Sequence, residues 1–466
     1  MPNHLHPSIE FARSQPLWID NGTVLPVAPV LCGGAAVDLL IVGAGFTGLW
    51  AALECKLRYP NKSVMVIDAG RIAQQASGRN GGFCSASLTH GLDNGIARFG
   101  DEFAEIEKFA RRNFDEIRSR VREFDIDCDW HEPGTLSVAT EPHLVSGLRE
   151  EAELARQFGY AAEFLDGPQV RAQLDGANFL SGLWTHDGEA LVDPYRLAEG
   201  LASAATRLGV VIHERTALLD LTERGAGVAA RTESGTVTAG SVILATNAFK
   251  SPVKAINRLV APVYDYVLAT EPLNAAQMDS IGWQNRQGVS DRTNQFHYYR
   301  MTKDHRIVWG GFDAVYYWGG RIDPSLDQSD ATHSLLAEQF FDTFPQLEGL
   351  NFSHRWGGVI DTCSRFSVCF GRSHHHKVVY AVGYTGLGVG ASRFGATVCL
   401  DMLYEPGADS LRLKLVNSAP LPFPPEPFRY VGITATRKSL ARADNNAGKR
   451  NLWLRALDAV GLGFDS

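Results

Sequence analysis

Residues 37–68, VDLLIVGAGFTGLWAALECKLRYPNKSVMVID, join two apolar runs through a glycine-punctuated helix. Val37 to Val42 is short, apolar and rich in β-branched residues, the pattern of a strand buried on both faces of a parallel sheet. Gly43, Gly45 and Gly48 follow at GxGxxG spacing, and the apolar positions of LWAALECKL then recur at helical intervals. Gly43 permits the tight turn, Gly45 lets backbone approach a pyrophosphate, and Gly48 lets helix and strand pack closely. The helix N-terminus presents N–H groups and a positive dipole end to phosphates. A second strand, SVMVID, ends at Asp68, 20 residues beyond Gly48, where a carboxylate suits a ribose diol and repels a 2′-phosphate. Together these features predict a dinucleotide-binding βαβ unit.

The next segment selects FAD over NAD. AGRIAQQASGRNGGF (69–83) places Gly70, Gly78, Gly81 and Gly82 directly after the second strand. A second glycine-rich loop can run its backbone along an extended cofactor, whereas an NAD enzyme would proceed to another βα unit. Ser77, Arg79, Asn80, Gly81 and Gly82 are therefore expected at the cofactor. Further on, SVILATNAF (241–249) reads as a strand ending in small residues at the carboxyl edge of the sheet, with Thr246 close to the ligand. Leu218, which opens the hairpin-like pair LLDLTE and GVAART, is a further expected contact. Gly383, Tyr384, Thr385, Gly386 and Gly388 form the last strand-to-helix turn. That helix would aim its dipole at the end of the flavin that gains negative charge on reduction.

At 466 residues the chain exceeds one ordinary core, which predicts two interleaved domains. An N-terminal extension (1–36) lies over the surface. An FAD-binding domain is assembled from 37–95, 180–260 and 355–405, and a substrate domain from 96–179 and 261–354. A C-terminal extension (406–466) carries a basic helix over 434–460. The net charge of −8 argues against nucleic acid as a partner. Seven scattered cysteines without a CxxC pair suit reduced thiols in a cytoplasm. No window is long and apolar enough for a membrane span, and no signal peptide is visible. His374, His375 and His376 read as a solvated turn, so no metal site is expected. Cys84 and Cys363 read as small core residues.

Gly100 to Phe124 shows the spacing of a core-facing amphipathic helix, and Leu144 to Phe158 and Ala331 to Phe344 read as further helices. Residues 261–350 are rich in aromatic, alternating strands that predict a large antiparallel sheet over the flavin. In QFHYYRMT, alternation puts Tyr298 and Arg300 on one face and His297 and Tyr299 on the other.

The segments VGAGFTGLWAA, ASGRNGGF, ILATNAF and GYTGLGVGASRFGA, in that order, resemble the D-amino-acid-oxidase/sarcosine-oxidase (DAO) superfamily of FAD enzymes. IDCDWHEPGTLSVA, PVYDYVLATEPL, FHYYRMTKDHRIVWGG and RFSVCFGR resemble its γ-glutamylputrescine oxidoreductases. The resemblance implies an α/β plus α+β fold, a Rossmann-like FAD-binding domain interleaved with a substrate domain on a mainly antiparallel sheet. It also implies oxidation of a C–N bond to an imine, which is then hydrolysed. Relatives with covalent flavin use a His after the second strand or a Cys before the last; SGRNGG lacks the His and Cys363 lies beyond the Cys position, which implies noncovalent FAD. The lysine credited with oxygen activation falls at Trp309, and Gly390 occupies a turn position that can carry lysine.

These readings converge on an FAD-dependent amine oxidoreductase, with O2 as the acceptor. Tyr266, Tyr298 and Trp309 are the expected aromatic enclosure, Arg300 the anchor for an anionic tail, and His297 a source of positive charge. Two alternatives stand: a dehydrogenase passing electrons to a quinone or carrier, and a non-catalytic flavoprotein subunit. The sequence leaves the amine and the oligomeric state open.

Overall fold

The computed structural model describes residues 5–22, 26–459 and 461–463. Its first sheet is built around the strand Gly33–Val42, flanked by Val64–Ile67 and Gly235–Leu244. Val211–His213 extends one side, and Val378–Val382 and then Cys369–Ser373 extend the other. The inner pairings are parallel, and only Cys369–Ser373 and the hairpin Asp220–Arg224/Gly227–Arg231 run antiparallel. Leu39 and Ile41 point into one apolar cluster, Leu40 and Val42 into another. A strand covered on both faces has no polar side, which is why this run shows no alternation in its sequence.

The helix Phe46–Arg58 packs between Gly388–Tyr404 and Pro194–Arg207. Small residues let the helix Gly388–Tyr404 sit close to its neighbours: a Cβ on Gly395 would lie 2.2 Å from the Tyr384 hydroxyl, and one on Gly390 would lie 2.3 Å from the Ser85 carbonyl. Gly390 belongs to the first turn of the helix Gly388–Tyr404, so a lysine there would first have to displace backbone.

The second sheet has eight strands in the order Phe352–Thr362, Ala261–Thr270, Ile307–Gly311, His297–Met301, Gly288–Asp291, Thr135–Ala139, Ser181–Thr185 and Ala162–Leu165. All its pairings are antiparallel except that of Gly288–Asp291 with Thr135–Ala139. Two expected boundaries therefore move. Ser181–Thr185 and most of Phe352–Thr362 belong with this sheet, not with the cofactor segments. Conversely, the helix Phe103–Glu123 buries Phe103, Ile106, Phe114 and Ile117 in the core of the first sheet's helices.

The N-terminal segment is more than a surface drape. Ile9, Leu17 and Trp18 are buried, and the Trp18 indole donates to the Asn80 carbonyl at 2.8 Å. Residues 1–4 and 23–25 of that extension, and 460 and 464–466 of the C-terminal one, lie outside the described residues. The single basic helix expected over 434–460 is two helices, Phe428–Asp444 and Leu452–Ala459. His374, His375 and His376 form a turn with positive φ throughout, and no metal-holding cluster of His, Cys, Asp or Glu exists among the described residues.

One buried charge network ties three helices. The Glu54 carboxylate, on Phe46–Arg58, receives Arg393 from Gly388–Tyr404 at 3.0 Å and Arg120 from Phe103–Glu123 at 3.1 Å. Glu54 and Arg393 are 1% and 3% exposed, so neither charge has water as an alternative partner. Removing one member of such a set leaves the other uncompensated. Glu54→Ala is expected to cost about 3–5 kcal/mol in urea unfolding. A loss below about 1 kcal/mol would show that Glu116, the second partner of Arg393, compensates it alone.

Candidate active site

The Gly43–Gly48 turn is shaped by backbone contact. Gly43 has φ +111°, and a Cβ on Gly48 would sit 1.8 Å from the Gly43 carbonyl oxygen. Gly45 is the N-cap of the following helix; a Cβ there would lie 2.8 Å from Ser77 Oγ, which accepts the Phe46 N–H at 2.9 Å. Asp68 accepts the N–H groups of Ala44 and Gly70, each at 2.7 Å, and burial raises its carboxyl above the ordinary range. A carboxylate has about four lone-pair positions, which leaves room for a diol beside those two amides.

From Gly45 and Ser77 a cavity of 1130 Å³ runs between the two sheets to Tyr298 and Asp265. Arg79, Asn80, Gly81, Tyr384, Thr385, Gly386 and Gly388 also line it. Asp361 organises the far turn: it accepts the Gly383 N–H at 2.6 Å, and burial pushes its carboxyl up to about 6. Thr47 donates to the Tyr384 hydroxyl at 2.8 Å, so the N-terminal ends of the two helices are fixed to each other. His90, held neutral by burial, donates from Nε2 to the Thr385 carbonyl.

These features fit FAD. The cavity is long, glycines clear its wall, and two helix N-termini open on it. The buried hydroxyl of Ser392, on that wall, and that of Thr246 have no partner among the described residues. Several expected contacts serve the cavity from behind. Gly43, Gly48, Gly82 and Gly383 allow close backbone approach, and Leu218 packs on the outer cluster of the sheet. Arg79 mainly bridges the two domains, pairing with Asp327 at 2.6 Å and donating to the Gly357 carbonyl at 3.0 Å. Cys363 reaches the cavity wall, with its thiol within hydrogen-bond reach of the Ser367 and Gly383 carbonyls.

The substrate side rearranges the expectations. Alternation in His297–Met301 is as read, but only one of its two faces meets the cavity. Tyr298 does, packed edge-on to Phe83 and donating to Asp265 Oδ2 at 2.5 Å. Gly81 and Gly310 make room for its ring. Arg300 shares that face, yet it is 1% exposed beyond the cavity, donating to the Val192 carbonyl at 2.6 Å and lying over the Trp18 ring. It grips backbone, and Lys303 and Arg306 lie past the strand's far end, where Arg306 pairs with Asp304. No cationic anchor forms there.

Tyr266, His297 and Trp309 lie on the opposite face of the sheet. The Tyr266 hydroxyl lies 2.7 Å from that of Tyr317 and donates to the Leu326 carbonyl, deep in the second core. Trp309 is registered opposite Tyr299, not Tyr298, and stacks with His297 at 4.7 Å. His297 is 2.7 Å from the Asp291 carboxylate, and with Trp309 it borders a smaller, separate cavity of 310 Å³. An indole on that face bears on no flavin, so the oxygen argument built on Trp309 falls with its position.

Asp265 is the residue that sequence reasoning missed here. It is half-buried on the cavity wall, and besides Tyr298 it accepts the backbone N–H groups of Tyr266 and Gly311; burial pushes its carboxyl up to about 6. The signal was an acid at an inward position of the apolar strand APVYDYVLAT. Carboxylates also outnumber arginines on the cavity wall, and three of those arginines are already paired: Arg79 with Asp327, Arg292 with Glu151 and Arg437 with Asp313.

A model of FAD-dependent oxidoreductases (DAO) matches residues 38–399. The chain is 32% identical to γ-glutamylputrescine oxidoreductase of Escherichia coli over 372 residues, 78% of this chain and 83% of the relative. It is 30% identical to the probable oxidoreductase OrdL of Haemophilus influenzae over 392 residues, 83% and 86% of the two chains. Glycine oxidase from Geobacillus kaustophilus superposes with a TM-score of 0.68 at 18% identity, covering 82% of this chain and 99% of its own. L-proline dehydrogenase from P. horikoshii does so with 0.66 at 18% identity, covering 83% and 96%.

Two outcomes follow from this geometry. Gly45→Val is expected to purify colourless, since a branched side chain would fill the space beside Ser77; full flavin absorbance would refute the cradle. Tyr298→Phe removes a donor to Asp265, a bond worth about 1.5–3 kcal/mol when the acceptor is charged. Asp265 ionises above about pH 6, so the loss should be larger at pH 8 than at pH 5, where the carboxyl is protonated. Equal losses in urea unfolding at the two pH values would show that Asp265 is not the acceptor.

Proposed function

The chain belongs to the DAO family of FAD-dependent oxidoreductases, and on that premise we propose that it oxidises a C–N bond of a small amine to an imine, which water hydrolyses. Bound FAD supplies the two-electron oxidation. The protein's residues supply enclosure, orientation and charge. Gly45, Ser77, Asn80, Gly81 and the Gly383–Gly388 turn hold the cofactor, with Asp68 at its ribose. Tyr298 and Asp265 form the wall at which the amine docks.

The observation that carries this reading is the charge of the chamber. An amine arrives from water as an ammonium ion, and a half-buried carboxylate with no cation of its own is a site for one. Asp265, which receives only neutral donors, is such a group. The anionic tail expected at Arg300 loses its anchor, since that side chain is committed to Val192. A γ-glutamyl-amine-like substrate remains compatible, because its glutamyl end carries an ammonium group as well as a carboxylate.

O2 is the proposed acceptor and a quinone or carrier the alternative; no side chain on the cavity wall favours one over the other. FAD is proposed to be noncovalent, although Cys363 stands on the wall. A cytoplasmic setting is proposed from the seven cysteines, all free and six of them buried. No helix among the described residues is long and apolar enough to cross a membrane.

Anaerobic mixing with a panel of amines is expected to bleach the flavin. At subsaturating amine the rate should rise with pH toward the amine's own pKa of about 10, since only the neutral form can be oxidised. Failure of every amine to bleach it would favour a binding subunit instead. Acid precipitation should release the FAD into the supernatant; colour retained in the pellet would point to Cys363.

A further inference from the structure

One end of the chamber lies between the helices Phe103–Glu123 and Val145–Gln157 and the short ribbon formed by Phe83–Ser85 and Glu189–Leu191. Four carboxylates face it: Glu107, Glu151, Asp187 and Glu189. Three of them are answered. Glu151 pairs with Arg292 at 3.0 Å, Asp187 faces Arg111 at 3.8 Å, and Glu107 takes the Tyr160 hydroxyl at 2.8 Å beside the same Arg111.

Glu189 is not answered. It is 7% exposed, no cation approaches it among the described residues, and its Oε1 has no hydrogen-bond partner. Its one polar contact among the described residues is the Ser85 side chain, from the residue registered directly opposite it. Nothing in the fold requires an acid at this position. The ribbon would pair equally well with an apolar residue there, and burying an uncompensated carboxyl costs stability. Such a group makes sense where a ligand brings the missing charge.

Its placement says which part of a ligand. Phe83 lies two residues, roughly 7 Å, from Ser85 on the same face of the strand and packs against Tyr298 with ring centroids 5.8 Å apart, so Glu189 stands along the ribbon with the Phe83 and Tyr298 rings between it and Asp265. The chamber thus has two acidic poles, Glu189 and Asp265, with an aromatic stretch between them.

We propose that Glu189 is a specificity residue that binds a second ammonium group of the substrate, while the reacting amine docks at Tyr298 and Asp265. The substrate class is an amine carrying another cationic nitrogen several bonds away, such as an α,ω-diamine or an amine bearing a remote α-amino group. This rests on the reading of the protein as an amine oxidoreductase. Ser85 is a positioning residue that holds the carboxylate toward the chamber.

The test compares 1,4-diaminobutane with 1-aminobutane on the oxygen-free holoenzyme. Two readings are taken: the concentration that half-saturates flavin bleaching, and the rise in unfolding temperature at equal ligand concentration. The diamine is expected to half-saturate at least tenfold lower than the monoamine. Burial pushes the Glu189 carboxyl up to about 8, so it is protonated below that pH and charged above it, and the diamine advantage should grow from pH 7 to pH 9. The other ionisable groups around it are Cys84, Asp187, Glu107 with Tyr160 and Arg111, and Glu151 with Arg292. Burial raises the Cys84 thiol well above its ordinary value, so it stays neutral in that window.

Glu189→Gln should bring the diamine-to-monoamine ratio close to one and abolish its pH dependence. Ser85→Ala should reduce the ratio partway, which keeps the question open to measurement if Glu189→Gln fails to fold. A ratio near one in the unaltered protein, or one that survives Glu189→Gln, overturns the proposal. If no amine bleaches the flavin, the amine reading fails separately, and the unfolding-temperature comparison alone decides whether Glu189 binds a dication.

Discussion

The contact between the Gly48 Cα and the Gly43 carbonyl is the constraint on which the remaining architecture depends. With 1.8 Å separating that oxygen from the place where a Cβ would be, helix Phe46–Arg58 can only lie this close to its strand because residue 48 has no side chain. The closeness sets the height of Gly45 above the sheet, and so the height at which Ser77 meets the helix end. It also brings Glu54 within reach of Arg120 and Arg393, so a turn geometry is linked to a charge network about two turns of helix away. The N-termini of Phe46–Arg58 and Gly388–Tyr404 then face one cavity, joined by Thr47 and Tyr384.

The cofactor side was legible because its signals are local. A GxGxxG turn, an acid 20 residues on and a second glycine loop each encode a short-range geometry, and each glycine's place follows from what a Cβ would strike. Alternation in His297–Met301 was legible for the same reason. Which face looked inward was not. That depends on strands far apart in sequence: Tyr299 pairs with Trp309, Tyr298 with Gly310, and Val267 with Gly310. A shift of one residue moves a whole set of side chains to the other face. Trp309, Tyr266 and His297 were displaced from the site in this way.

Arg300 failed for a different reason. Its face was right, but a side chain that long can pass a cavity and find backbone carbonyls behind it. Asp265 and Glu189 were overlooked because each is one acid in an otherwise apolar strand, a pattern easily taken for an exposed edge. Enclosure turns that isolated charge into an informative one, since a carboxylate is rarely buried without a partner unless something else supplies it.

The strand order has a consequence for how the chain comes off the ribosome. Gly33–Val42 needs Gly235–Leu244 on one side, and that strand in turn needs Val378–Val382. The earliest apolar segment to be synthesised must therefore wait for a partner roughly 200 residues later to close its second edge, that partner's own far edge stays open for roughly 140 residues more, and sheets assembled from such distant pieces form slowly. Val64–Ile67 and the helix Phe46–Arg58 can cover it meanwhile on one edge and one face only. A nascent chain of this topology carries an open, adhesive strand edge through most of translation, which makes it a natural client for chaperones and a poor candidate for C-terminal truncation.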